Sequence, residues 1–226
     1  MIRQFRTAAI AASLAISAPA FAADLMGDVV APPAADAPSR FYATVFAGAS
    51  QPYAKVSAFV DPPFFVTVDS DFEVGYIIGG AIGAKVLPNL RGEVEFSVVN
   101  SEISSFYDTP LPDGVTMNST GYNLLGNLWY DVDTGSAFTP YIGGGIGYGY
   151  GVITQTDVDE DINTSGWLYQ FGAGVRYAAT DVIALDLAYR YRVQPDAEVT
   201  SDTIPEGFVT SSATNHIVTA GVSVGF

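Results

Sequence analysis

The fold is decided by residues 167–193, which read WLYQFGAGVRYAATDVIALDLAYRYRV. In both halves of this stretch, large apolar or aromatic side chains alternate with small or polar ones, so that Trp167, Tyr169 and Phe171 share one face. Successive side chains of an extended strand point to opposite faces, whereas those of a helix repeat every three or four residues. The period of two therefore predicts two strands, joined by the short connection 178–181.

Six further segments show the same alternation, which brings the predicted number of strands to eight. In 91–100, for example, Val94 and Phe96 oppose Glu93 and Glu95. The faces of the first segment stay open, because both of its faces carry an aromatic residue. The six segments are 41–50, 72–86, 91–100, 120–132, 140–153 and 214–226.

The connections between these strands alternate between short and long. The short ones are 87–90, 133–139 and 178–181, and the long ones are 51–71, 101–119, 154–164 and 194–213. Barrels of the bacterial outer membrane have turns at one end and loops at the other, whereas a soluble β-sandwich has no reason for such alternation. Lipid offers no hydrogen bonds to free strand edges, so the strands must close on themselves.

The pattern thus predicts an all-β fold, an eight-stranded antiparallel transmembrane β-barrel with short periplasmic turns and long extracellular loops. A crossing strand needs about 9–11 residues. Residues 53–60 and 64–69 of the first loop are too short for a ninth and tenth crossing, and they predict a β-rich extension above the membrane.

Charge is distributed differently between the loops and the strands. The long connections hold 14 acidic residues and one basic residue, Lys55. The polar face of the strands is balanced, and balanced charges suit an enclosed lumen in which ions pair. The opposite, aromatic face is predicted to contact outer-membrane lipid. The predicted lumen charges are Glu73, Glu93, Glu95, Asp131 and Asp186 against Lys85, Arg91, Arg176, Arg190 and Arg192.

The N-terminal residues 1–22 have the pattern of a secretory signal peptide. Arg3 and Arg6 precede the small apolar run 8–18, and Ala-Phe-Ala stands before Ala23. The alternative, a transmembrane anchor, needs about 20 apolar residues, and this run stops at Pro19. Residues 23–39 are predicted to be a flexible periplasmic tail, and 40–226 the outer-membrane barrel.

Composition excludes several functions. The net charge is −15, with only nine basic residues, so nucleic acid is not a predicted partner. The chain has no cysteine and one histidine, which excludes thiolate metal sites and cysteine nucleophiles, and no cofactor is predicted.

Three features are candidates for catalytic or binding sites. His216 is the one candidate for the histidine of a barrel lipid A deacylase or outer-membrane protease, but it lacks a Ser two positions on. An interfacial histidine is therefore favoured, and no enzyme is predicted. The glycines of 143–149 lack nucleotide-loop spacing and predict room for Arg and Glu side chains from opposite strands. The acidic cluster Asp157, Asp159, Glu160 and Asp161 does not match the spacing of a calcium-binding loop, which favours a solvated surface. Weak Ca²⁺ or Mg²⁺ bridging to lipopolysaccharide phosphates stays open.

Four segments in this order resemble the opacity-type (Opa-like) outer-membrane β-barrel family. They are GGAIGAKVLPNLRGEVEFS at 79–97, NLLGNLWYDVDTGSAFTPYIGGGIGYGYG at 123–151, FGAGVRYAATDVIALDLAYRYR at 171–192 and HIVTAGVSVGF at 216–226. The resemblance implies a bacterial outer-membrane location and a non-enzymatic surface role in envelope integrity, adhesion or host interaction through an unknown extracellular partner. Phe226, with Val224 and Val222, looks like the family's C-terminal signal for the barrel-assembly machinery.

A small porin or channel is the alternative function. The interior of an eight-stranded barrel is just wide enough for side chains to fill, so the balanced inward charge disfavours a pore. If the lumen assignment holds, Glu95→Ala or Arg176→Ala is predicted to destabilise the barrel much more than Asp159→Ala in a loop.

Overall fold

The computed structural model describes residues 40–59, 65–106, 109–110, 115–156, 161–200 and 209–226. The predicted signal peptide and tail, and the loop residues Asp157, Asp159 and Glu160, lie outside these ranges. The described residues contain no helix long and apolar enough to cross a membrane. The strands of the described ranges are β1 Phe41–Phe59, β2 Phe65–Phe72, β3 Gly75–Leu87, β4 Leu90–Phe106, β5 Thr109–Pro110, β6 Met117–Asp131, β7 Phe138–Gln155, β8 Ile162–Ala178, β9 Ile183–Thr200 and β10 Val209–Gly225.

The strands form one closed antiparallel barrel of eight staves. β2 and β3 both pair with β1 on one side and with β4 on the other, so together they make a single stave that is interrupted only at Glu73 and Val74. β5 is a two-residue addition to β4. β10 pairs with β1 from Tyr42↔Gly225 to Ala58↔Val209, which closes the ring. The predicted eight-stranded barrel is confirmed.

The strands are longer than the alternation predicted, and the extra length lies at the end with the long connections. β4 continues to Phe106, β7 to Gln155 and β9 to Thr200. Most of the stretches 101–119, 154–164 and 194–213 that were predicted as loops is therefore strand. The β-rich extension predicted in the first loop is confirmed, because β1 and β2 pair from Tyr53↔Asp71 to Phe59↔Phe65.

The faces of β1, which the sequence left open, are now assigned. Tyr42 and Phe46 point inward and are buried, whereas Phe41 and Val45 are exposed on the outer face. Glycines on neighbouring strands make the inward arrangement possible. A Cβ atom at Gly83 would lie 2.3 Å from the Tyr42 ring, so only glycine leaves space for that side chain.

The outer wall is a continuous apolar surface rich in aromatic side chains. Tyr76, Phe96 and Trp167 are among its exposed residues, together with aliphatic side chains between them. A soluble monomer rarely exposes an apolar area of this extent, whereas the wall of a membrane barrel must be apolar. The exposed aromatic residues of the wall include Tyr76, Phe96, Tyr122, Tyr130, Tyr148, Tyr150, Trp167, Tyr169 and Tyr189.

Candidate functional site

The turn-side half of the barrel interior is filled by a cluster of charged and aromatic side chains, here called the plug. Its charged members are four arginines and four carboxylates. The plug consists of Tyr42, Arg91, Glu93, Glu95, Asn127, Trp129, Asp131, Tyr141, Gln170, Arg176, Asp186, Arg190 and Arg192.

Glu95 is the centre of the plug and has 0% exposure. Its Oε2 atom accepts a hydrogen bond from Arg190 Nη1 at 2.6 Å, and its Oε1 atom accepts one from Arg192 Nη2 at 2.5 Å. Glu95 lies on β4 and both arginines lie on β9, four staves away in either direction around the ring. These two ion pairs therefore cross the full width of the lumen.

Neutral side chains complete the shell around this triad. Asn127 Nδ2 donates to Glu95 Oε2 at 2.9 Å, and Gln170 Nε2 donates to Asn127 Oδ1 at 3.1 Å. Arg192 donates to Gln170 Oε1 at 2.7 Å and to Ser97 Oγ at 3.0 Å. Buried charges are tolerated only when their remaining donors and acceptors are also hydrogen-bonded. Asn127, Gln170 and Ser97 supply most of these hydrogen bonds.

Two further ion pairs lie closer to the turns. Arg91 Nε is 2.8 Å from Asp131 Oδ2, and Arg176 Nε is 2.8 Å from Asp186 Oδ2. Each pair joins neighbouring strands, since Arg176 and Asp186 are direct partners in the β8–β9 register. Tyr42 lies between the two arginines, whose guanidinium carbons are 5.6 Å and 5.0 Å from the centre of its ring.

Glu93 is held by neutral donors. Tyr42 Oη donates to its Oε2 at 3.0 Å, and Trp129 Nε1 donates to its Oε1 at 3.3 Å. Among the described residues, no cation lies within 4.0 Å of this carboxylate. One cavity among the plug side chains, lined by Glu93, Trp129 and Arg190 among others, has a volume of about 10 Å³, which is room for about one water molecule. The plug therefore leaves no open passage through this half of the lumen.

The aromatic members of the plug were missed by sequence reasoning. Tyr42, Trp129 and Tyr141 point inward and are buried, and Tyr141 Oη donates to Asp186. Trp129 lies two positions from the charged residue Asp131 on β6, and so points to the same face. This spacing is the signal from which Trp129 could have been predicted.

The glycines of β7 have a different role from the predicted one. A Cβ atom at Gly143 would lie 2.8 Å from the Trp129 ring, and one at Gly145 would lie 2.0 Å from Asn127 Oδ1. They make room for side chains of the neighbouring strand β6, not for Arg and Glu side chains from opposite strands. The prediction was wrong on this point, because the atoms nearest to these two positions belong to Trp129, Asn127 and the backbone of β6.

Two predicted lumen charges do not join the plug. Lys85 is in register with Arg91 but is only half-buried, and the structure shows no ion pair for it among the described residues. It lies two residues from the end of β3, where solvent is near. Glu73 lies in the break between β2 and β3 and is exposed, because the chain leaves the regular strand there.

His216 lies on the outer wall within a group of tyrosines. Its Nδ1 atom is hydrogen-bonded to Tyr189 Oη at 2.7 Å, and its ring is 5.0 Å from that of Tyr191 and 6.1 Å from that of Tyr53. In the described part of the chain its hydrogen-bond partner is thus a phenol and not a serine or carboxylate. No cluster of three potential metal ligands occurs among the residues that the structure describes.

A closed antiparallel barrel with an apolar wall and a charged interior defines an integral outer-membrane β-barrel protein. The chain belongs to the outer membrane protein beta-barrel domain family, whose model matches residues 8–226. The family places the protein in the bacterial outer membrane, where its wall contacts lipid.

A sequence relative is the outer membrane protein PagN of Salmonella typhimurium, which is 33% identical over 73 residues. That match covers 29% of this chain and 30% of PagN. Among solved structures, Neisserial surface protein A (NspA) is 20% identical with a TM-score of 0.53, over 84% of this chain and all of that chain. The outer membrane protein AlkL is 18% identical with a TM-score of 0.55, over 89% of this chain and 97% of AlkL. These two similarities concern the fold alone.

Proposed function

We propose that this protein is a non-enzymatic, non-conducting surface protein that holds an acidic, β-rich extension above the outer membrane. The extension serves contact with host cells or surfaces and the integrity of the envelope, as the opacity-type resemblance suggests. The observation that carries the proposal is that the strands are longer than a membrane crossing requires. The alternative function, a channel, is disfavoured because the plug fills the turn-side half of the lumen.

The length of β1 supports a tall extension. β1 has 19 residues, whereas a tilted strand crosses the membrane with about 9–11. The remaining eight to ten residues, at about 3.3 Å each, extend roughly 30 Å along the strand. This part of β1 pairs with β2 on one side and β10 on the other, so its backbone is ordered. An ordered sheet presents its side chains in fixed positions, as a contact surface requires.

The extension exposes a charged pair of side chains. Lys55 Nζ and Asp69 Oδ1 are 3.1 Å apart, with both side chains more than 60% exposed. The four connections at this end contain 14 acidic residues and this one lysine. A surface of that charge favours partners with basic patches, or divalent cations that bridge it to lipopolysaccharide phosphates.

The C-terminal residue supports a role in assembly. Phe226 N donates to Phe41 O at 2.9 Å, and Phe41 N donates to Phe226 O at 3.3 Å. The two phenyl rings stack with their centres 6.3 Å apart. Phe226 therefore fixes the closing seam between β10 and β1, and we propose that it is also the residue read by the barrel-assembly machinery after the signal peptide 1–22 has been removed.

The experiment removes the extension and keeps the barrel. Deletion of 53–70 joins residues 52 and 71, which leaves a six-residue loop between the register partners Ser50 and Gly75. Bacteria carrying the wild-type gene, this deletion or no copy are compared for adherence to cultured epithelial cells and for detergent sensitivity. Insertion of a short tag at 134–136, in a turn at the opposite end, is the matched control.

The deletion is expected to reduce adherence or detergent resistance to the level of the strain without the gene, while the turn insertion leaves both unchanged. Retained heat-modifiable gel mobility would show that the deleted barrel still folds. If the strain without the gene behaves as wild type in both assays, or if the deletion does, the proposed role of the extension is wrong.

A further inference from the structure

Above the plug, the lumen changes from charged to apolar and widens into a cavity of about 330 Å³, here called the upper chamber. All eight staves contribute to its wall, so it is a central cavity and not a groove between strands. Its buried apolar wall residues are Val99, Ile103, Met117, Leu168 and Val199.

The floor of the upper chamber is closed. Arg192 lies at its base and is engaged below by Glu95, Gln170 and Ser97. A molecule that enters from the loop end therefore meets the plug and stops. The chamber has the form of a binding site with one mouth and not of a channel.

Two buried hydroxyl groups in the wall have no partner. Ser70 and Ser101 are 4% and 3% exposed, both line the upper chamber, and neither Oγ atom hydrogen-bonds to any described residue. Each Oγ atom is itself almost inaccessible, so it reaches a ligand in the chamber by rotation about its Cα–Cβ bond. Buried polar groups are nearly always paired, and a pair that the protein does not supply points to a ligand or solvent that does. An apolar cavity with a few hydrogen-bonding groups is the usual form of a small-molecule site.

Size and charge restrict the ligand. A cavity of about 150 Å³ binds a benzene molecule, so the chamber, with roughly twice that volume, accommodates a chain of about ten heavy atoms. Among the described residues at this end of the barrel, the exposed carboxylates outnumber the one exposed cation, Lys55, and this negative field repels anions. These carboxylates include Asp69, Glu102, Asp161, Asp196 and Glu198. We propose that the upper chamber binds one neutral or cationic amphiphile with a medium-length apolar chain, taken from the extracellular solution, whose polar group hydrogen-bonds to Ser70 or Ser101.

A native side chain reports directly on occupancy. Met117 is buried in the chamber wall, and the two other methionines, Met1 and Met26, precede the barrel in the sequence. Protein labelled with ¹³C at the methionine methyl groups, in lipid nanodiscs, is titrated with 1-decanol, decyltrimethylammonium or decanoate. The Met117 signal is expected to shift saturably with the first two ligands, with decanoate at least tenfold weaker.

Two glycines of β6 provide matched variants. Gly121 lines the chamber, and a Cβ atom there would have Asn123 Nδ2, at 3.9 Å, as its one neighbour within 4 Å. Gly126 faces outward on the same strand, and its Cβ would first meet Ile146 O at 4.0 Å. Gly121→Leu fills the chamber and is expected to weaken decanol binding at least tenfold, whereas Gly126→Leu leaves it unchanged. Ser101→Ala is expected to weaken decanol binding severalfold.

Heat-modifiable gel mobility checks that each variant is folded before titration. A Met117 shift that does not saturate, or that is the same in Gly121→Leu as in wild type, would show partition into the bilayer only and would overturn the proposal. Decanoate binding as tight as that of decanol would overturn its charge selectivity. These outcomes do not depend on the role of the β-rich extension.

Discussion

Replacement of Glu95 by glutamine removes the negative charge between Arg190 and Arg192 and keeps the shape of the side chain. Both arginines then remain buried without their counter-ion. Among the described residues, Arg190 Nε already has no hydrogen-bond partner, and Arg192 keeps its hydrogen bonds to Gln170 and Ser97. Removal of one partner from a buried ion pair costs about 3–5 kcal/mol. With a urea dependence of about 2 kcal/mol/M, the unfolding midpoint is expected to fall by roughly 2 M.

The assay is equilibrium urea unfolding of the barrel in lipid vesicles, followed by tryptophan fluorescence. Asp161→Asn is the matched control, because it makes the same chemical change at an exposed position. Asp161 is chosen as the surface control in place of Asp159, because Asp159 lies outside the described residues. A surface change of this kind is expected to alter the free energy of unfolding by no more than about 0.5 kcal/mol.

A triple replacement separates lost charge from lost packing. Exchange of a buried triad for apolar residues of similar size is often neutral or stabilising. Glu95→Leu combined with Arg190→Met and Arg192→Leu is therefore expected to recover most of the lost stability. Equal, small shifts for Glu95→Gln and Asp161→Asn would refute the cross-lumen assignment on which this reasoning rests.

Three further predictions follow from the barrel. Gly143→Ala is expected to destabilise the barrel by about 1–3 kcal/mol in the same urea assay, because its Cβ would lie 2.0 Å from a backbone carbonyl oxygen, whereas Gly126→Ala has little effect; equal midpoints would contradict this. Phe226→Ala is expected to lower the amount of folded barrel in cells, measured by the unboiled gel band, and an unchanged band would contradict its role in assembly. Tags in 201–208 are expected to bind antibody on intact cells and tags in 134–136 only after permeabilisation, and the reverse would refute the orientation.

The fold was predictable because the outer wall and the interior impose different chemistry on alternate residues. In 167–177 of β8 and 183–193 of β9 every second residue is apolar or aromatic, and this pattern survives in the membrane-spanning part of the other staves. The upper ends of the strands were missed because their outer faces are mostly polar, while their inner faces line the upper chamber with small and polar residues among the apolar ones. β10, for example, begins with Val209, Thr210, Ser211 and Ser212, in which no apolar face is visible.

The charged members of the plug could be predicted from the alternation of side chains along each strand, but which of them pair could not. Glu95 meets Arg190 and Arg192 only because the stagger of the closed barrel brings β4 and β9 to the same depth on opposite walls. The strands can be predicted from the sequence, but the stagger between strands on opposite walls cannot. The inward aromatics were hidden for a related reason, since Trp129 depends on space left by Gly143 and Gly172 on other strands.

The sealed lumen is tested most directly by single-channel recording of the purified protein in planar lipid bilayers, with an outer-membrane porin inserted under the same conditions as a control for sensitivity. Because the ion pairs of Glu95 cross the lumen and the cavity among the plug side chains has a volume of about 10 Å³, the protein is expected to insert without raising the conductance above the baseline. Stable, reproducible conductance steps from the wild-type barrel would contradict the sealed plug.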